Sequence, residues 1–172
     1  MGTGARLRMG VSASTVLGDW VQNAGVKWDV CATLHVPEAK RKAEQGWTAD
    51  WLSNELRLYF NKLDRRIFKS AHRNHGARVH RFITLEKSEG VGWHAHALLQ
   101  TPAGTGQTAF ISLAEHLWHG LQAQYAAAHF QSRLSVIEPI TGNFSYYAIK
   151  SVHDGADNSK GVLDLRNIHL PR

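Results

Sequence analysis

The chain contains a single cysteine, Cys31, which excludes an intramolecular disulfide framework and any cysteine-rich zinc cluster. Its four prolines are scattered, and no low-complexity tract or internal repeat occurs, so the composition gives no reason to expect disorder. No apolar stretch reaches the ~18 residues needed to cross a bilayer. A G-x-x-x-x-G-K-[ST] phosphate loop is also missing, because "AGTGQT" at 103–108 is only a glycine-bearing loop. Nothing in the sequence therefore resembles an ATP-driven motor. Acids are the scarcer sign: 14 Asp and Glu face 20 Lys and Arg, for a net charge of +6. That balance favours an anionic partner, nucleic acid foremost.

The hydrophobic share of 43% in 172 residues suffices for one compact core and is too little chain for two ordinary domains. The opening "MGTGARLRMGVSASTVLGDW" lacks a continuous apolar segment and does not read as a signal peptide; its Gly, Ser and Thr content reads as a loose arm over 1–24. Residues 25–172 are then one domain, expected in the cytoplasm and away from membranes. Cys31, in an apolar run, is expected as a small core residue.

Excess positive charge is concentrated between Arg57 and Arg81. Arg57, Lys62, Arg65, Arg66, Lys69, Arg73, Arg78 and Arg81 stand there against one acid, Asp64, with His72, His75 and His80 interspersed. These eight cations are the candidates for contacts to backbone phosphates.

Periodicity gives the order of elements. "WDVCATLHV" (28–36) is a β-rich run closed by Pro37 and reads as a strand. "TADWLSNELRLYFNKLDRRIFK" places Leu52, Leu56, Tyr59/Phe60, Leu63 and Ile67 at helical spacing, with Thr48 as N-cap. "SAHRNHGAR" reads as a polar loop. "VHRFITLE" and "WHAHALLQ" flank "KSEGVG" as a hairpin. "SLAEHLWHGLQAQYAAA" begins with Ser112 and Glu115 at capping-box spacing and carries Leu113, Leu117, Leu121 and Tyr125. "RLSVIEPI" is a further strand, "FSYYAIKSV" a short helix and "VLDLRNIHL" a final strand. This order predicts a single α+β domain with a mainly antiparallel central sheet and flanking helices.

The chemistry centres on "WHAHALL". Two histidines one residue apart are close to what chance yields among eleven, but on a strand His94 and His96 project from one face, roughly 6–7 Å apart. If the hairpin turn centres on Gly90, Glu86 lies directly opposite His94, and Thr84 opposite His96. Cross-strand partners share a face, so the Glu86 carboxylate points at the same place as both imidazoles. Glu89, on the turn, is a weaker acid candidate. Two nitrogens and a carboxylate suit Mg²⁺ or Mn²⁺ when a substrate adds phosphate oxygens, and Zn²⁺, Ni²⁺ or Co²⁺ in vitro. The same donor set occurs in non-haem iron oxygenases, a reading that a basic chain disfavours. His116 and His119 ("HLWH") lack further ligand spacing and are expected at the surface.

Downstream, "SYYAIK" puts Tyr147 and Lys150 at i and i+3 of a helix, and Tyr146 and Lys150 at i and i+4. A tyrosine nucleophile needs help, its ordinary pKa being about 10, and a nearby ammonium favours the phenolate. The two tyrosines diverge by about 100° around a helix, so one of them is expected in the core.

Together, H-hydrophobe-H on a strand ("WHAHALL"), an acid on the preceding hairpin strand ("LEK") and "YYAIK" later resemble the HUH endonucleases. A tyrosine following the histidine pair, with a lysine companion, is similar to the rolling-circle replication initiators, or Rep proteins. In relaxases of the superfamily the tyrosine typically precedes the pair. Single-tyrosine transposases place it after, usually with an amide as companion. The resemblance covers about residues 28–153, with the small Ala95 and the missing helicase as departures. It implies an HUH fold, similar to RNA-recognition sheets, with His94, His96 and Glu86 as ligands of Mg²⁺ or Mn²⁺. Tyr147 becomes the nucleophile, or Tyr146 if the lysine is spaced four residues on, and Lys150 offsets its charge. It further implies nicking and rejoining of single-stranded DNA through a 5′-phosphotyrosine link, starting rolling-circle replication of a plasmid or phage. The partners it implies are single-stranded DNA, an origin hairpin among the candidates, and a helicase and polymerase in trans. The rival class is a sheet that binds single-stranded nucleic acid without cutting it.

Overall fold

A computed structural model of the protein describes residues 13–89, 91–125, 135–141 and 161–171. Five strands form one sheet: β1 (Val30–His35), β2 (Arg81–Ser88), β3 (Gly92–Leu99), β4 (Ser135–Pro139) and β5 (Gly161–Leu163). Their order is β4-β1-β3-β2-β5, and every neighbouring pair is antiparallel. The helices are α1 (Ala13–Gln22), α2 (Glu38–Ala43), α3 (Ala49–Phe68), α4 (Ser70–His75) and α5 (Gln107–Gln122). The chain is thus α+β, with an open antiparallel sheet and flanking helices in one domain.

Strand alternation divides the sheet into two unlike faces. Val30, Ala32 and Leu34 of β1, Ile83 and Leu85 of β2, Ala95, Ala97 and Leu99 of β3, and Ile137 of β4 point one way. They pack on Leu52, Leu56, Tyr59, Phe60 and Leu63 of α3 and on Phe110, Ala114 and Trp118 of α5. Tyr59 joins the two helices by donating to the Ala114 carbonyl (3.2 Å), and the Trp118 indole N–H donates to the His35 carbonyl (3.3 Å). The opposite face carries a smaller apolar cluster of Phe82, Leu98 and Val21, the last supplied by α1.

Thr48 caps α3 through its side chain, which accepts from the Trp51 N–H. Several expectations are corrected. Part of the supposed loose arm is α1, whose Leu17 and Val21 at i, i+4 pack on Phe82 and Leu98; the Gly/Ser/Thr composition masked that spacing. "SAHRNH" forms the short helix α4, ended by Gly76 in the left-handed conformation rather than a loop throughout. The helix expected from Ser112 starts at Gln107, so Ser112 and Glu115 lie inside it and form no capping box. Its deepest stripe is Phe110, Ala114 and Trp118, while Leu113, Leu117 and Leu121 pack at the margin. The final strand is only three residues long, then turns and returns as a bridge between His169 and Arg81. Cys31 is buried, which pushes its thiol pKa up to about 11, as suits a core residue. No helix among the described residues is long and apolar enough to cross a membrane.

Candidate metal centre

The β2–β3 register pairs Glu86 with His94 and Thr84 with His96, as the hairpin reading requires. On the other side of β3, β1 pairs Thr33 with His96 and His35 with His94. Three adjacent strands therefore gather Thr33, His35, Thr84, Glu86, His94 and His96 on the face opposite the large core.

Glu86, His94 and His96 bring one ligand atom each within 4.8 Å of one another. The Glu86 Oε2 lies 3.2 Å from His96 Nε2 and 3.9 Å from His94 Nε2. Both imidazoles are buried, and the Glu86 side chain is 33% exposed, so the cluster meets solvent on the carboxylate side. The remaining ring nitrogens are engaged. His94 Nδ1 donates to the Gly92 carbonyl at 3.2 Å, and His96 Nδ1 lies 3.1 Å from Thr33 Oγ1. Such outer contacts fix ring orientation, and the Nε2 atoms of both rings face Glu86, with His96 Nε2 in hydrogen-bond contact with its carboxylate. Burial, and then the neighbouring His94, lower the His96 pKa, with Glu86 opposing. A neutral imidazole is the form that ligates. These three residues can hold a metal ion.

His35 stacks on His94, with ring centroids 4.9 Å apart and planes 18° from parallel. Burial first, then His94, His96 and Arg41, pull its pKa down to about 4. Thr33 and His35 escaped sequence reasoning, although the alternation in "VCATLH" places both opposite Val30, Ala32 and Leu34. Glu89 is exposed on the turn and is not in the cluster. His116 is exposed, as expected of a surface residue, whereas His119 is half-buried and bonds Ser135 Oγ at 3.0 Å.

The basic segment is dispersed. Arg57, Lys62, Arg65, Arg66, Lys69 and Arg73 are exposed on α3, the turn after it and α4. Arg65, Lys69, Ser70, His72, Arg73 and Arg78 line a shallow hollow where α3 meets α4. Arg78 is half-buried and shared with Asp64 (3.3 Å) and Asn61 (3.2 Å). Arg81 departs from the expectation: it is interior, only 4% exposed, with Nη1 on both Asp64 oxygens at 2.9–3.0 Å. The helical part of the ridge covers the face opposite the triad. Asp64 also accepts from the Val79 N–H (2.8 Å), so it anchors the entry to β2. Tyr146, Tyr147 and Lys150 lie outside the described residues.

No family model, curated protein sequence or solved structure matches this chain.

Proposed function

We propose that this protein is a metal-dependent nickase of single-stranded DNA that works as the Rep-like HUH endonucleases do. The observation that carries the reading is the convergence of Glu86, His94 and His96 within 4.8 Å on one face of the sheet. The same residues precede Tyr147 and Lys150 in the order that family uses. A divalent ion held there, Mg²⁺ or Mn²⁺, would supply positive charge to a non-bridging oxygen of the scissile phosphate.

The chain's own residues do the rest. Thr33 and the Gly92 carbonyl keep the two imidazoles facing Glu86. The Tyr147 phenol gives its proton to solvent water, and the Lys150 ammonium lowers the cost of the phenolate. The Tyr147 oxygen forms a bond to phosphorus as the P–O3′ bond breaks, and the departing 3′ oxygen takes up a proton. The phosphodiester energy is retained in the tyrosyl ester, so attack by a 3′-OH reverses the step without ATP. The exposed cations from Arg57 to Arg73 hold DNA flanking the cut, because they sit on the other side of the sheet from the triad. The substrate is the origin of a rolling-circle element, and a helicase and polymerase act from other chains.

The test is a covalent-adduct assay with labelled single-stranded oligonucleotides and Mn²⁺, resolved on a denaturing gel. A protein–DNA adduct that EDTA, His96→Ala and Tyr147→Phe each abolish is the expected outcome. An adduct lost in Tyr146→Phe and kept in Tyr147→Phe moves the nucleophile by one residue. Metal binding with no adduct on any strand overturns the reading in favour of a binding module.

A further inference from the structure

Arg41 of α2 is only 7% exposed, and among the described residues no carboxylate reaches its guanidinium. Its Nη1 donates to the Val91 carbonyl, while its Nε is buried with no acceptor. The nearest acid electrostatically, Glu38, is engaged by Lys42 at 2.6 Å, and burial outweighs its influence, lowering the Arg41 pKa. A guanidinium remains charged even so. A desolvated cation with no counter-ion interacts with an incoming anion far more strongly than a surface lysine does.

The position of this cation matters. Arg41 lies against the backbone of the β2–β3 turn at Val91–Gly92, and the Gly92 carbonyl is the acceptor that orients His94. His35, stacked on His94, feels the Arg41 charge. Gly92 has φ +76°, and a Cβ there would occupy the space of Arg41 Nη1, so the turn is shaped around the guanidinium. The Trp47 indole ring stands 5.8 Å from Arg41 Cζ. Trp47 is 51% exposed and Val91 39%, an apolar lip with an aromatic face in solvent.

We infer that Arg41 and Trp47 form a nucleotide subsite on the rim of the metal centre, with Trp47 stacking a base and Arg41 holding a phosphate beside it. Stacking on an aromatic face is sequence-tolerant, and a flanking arginine adds charge to the same nucleotide. The inference rests on the reading of this chain as a DNA-nicking enzyme and adds how the strand would be placed at the cut. Both residues act as binding groups and take no part in bond making.

The experiment measures binding separately from cleavage. A short fluorescein-labelled oligothymidylate is titrated into the full chain in EDTA, following anisotropy and indole emission. Trp47→Ala is expected to weaken binding by about tenfold, the usual order for one stacked base. Trp47→Phe should retain most of the affinity and lose the quenched fraction of the emission. Arg41→Gln should lower the slope of log affinity against log salt by about one, the mark of a lost phosphate contact. A purely structural Arg41 would lower the melting temperature of Arg41→Lys and leave that slope unchanged, which would overturn its role here. Wild-type affinity in Trp47→Ala, an exposed position that folding tolerates, overturns the subsite. Equal competition by pyrophosphate and thymidine diphosphate reduces it to an anion site and overturns the nucleotide reading. Intact Trp47-dependent binding with no adduct in Mn²⁺ would sink the nickase and leave the subsite standing.

Discussion

The two faces of the sheet are made by the same strands and obey opposite rules. One presents Val30, Leu34, Ile83, Leu85, Ala97 and Leu99 to α3 and α5 and is sealed. The other presents Phe82 and Leu98 to α1 at one end, and Thr33, His35, Glu86, His94 and His96 at the other. Apolar packing is concentrated on the first face, and the candidate metal ligands on the second. Placing buried imidazoles on a strand costs desolvation, and the apolar face opposite offsets it through the same backbone. A residue's contribution to folding or to ligand binding can thus be read from which way it points.

The sharpest way to break the comparison is to damage each face and see whether the effects cross over. Trp118 is fully buried between α3 and the sheet, so Trp118→Ala should cost about 3–5 kcal/mol in denaturant unfolding. Its metal affinity, measured where the protein is still folded, should change little. Thr33→Val acts in the opposite sense: it removes the partner of His96 Nδ1 while keeping the shape. Calorimetric titration with Mn²⁺ should show affinity reduced by about 10- to 100-fold, with the metal-free melting temperature nearly unchanged. If Thr33→Val instead unfolds the protein and leaves affinity intact, the division between faces fails.

The smallest effect concerns acid, and it lies at the far end of β2. Burial, then Arg81 and His80, lower the His169 pKa below its ordinary 6.5, against the pull of Asp64. The unfolded chain therefore takes up this proton more readily than the folded one. Stability rises with pH through that window and is lost as pH falls below about 6.5. His169→Gln should flatten the acid limb of a melting-temperature profile slightly, and a steeper limb would contradict the assignment.

Local, period-2 features were legible in the sequence. The Glu86–His94 register follows from a tight turn and strict alternation, and the Thr48 cap from a side chain three residues ahead of its donor. Features set by distant partners were not. Arg81 looked like one more surface cation because the residue that buries it, Asp64, is 17 positions away and belongs to another element. The α1 helix is short, and its worth lies in where Leu17 and Val21 land on the sheet, which composition does not encode. In α5 the leucine stripe was the conspicuous one, yet the deepest positions go to Phe110, Ala114 and Trp118. Thr33 and His35 were visible only once β1 was known to lie beside β3.

The two histidines of the triad are oriented from very different distances along the chain. His94 takes its bearing from Gly92, two residues away, whereas His96 takes it from Thr33, 63 residues away. Closing the hairpin brings both rings beside Glu86, and docking of β1 then adds His35 against His94 and Thr33 against His96. A hairpin folding alone would carry all three donors but lack the β1 side chains that hold the imidazoles. Any ion held by the completed triad is therefore linked to a long-range strand pairing, and its removal should loosen β1 before it loosens the turn.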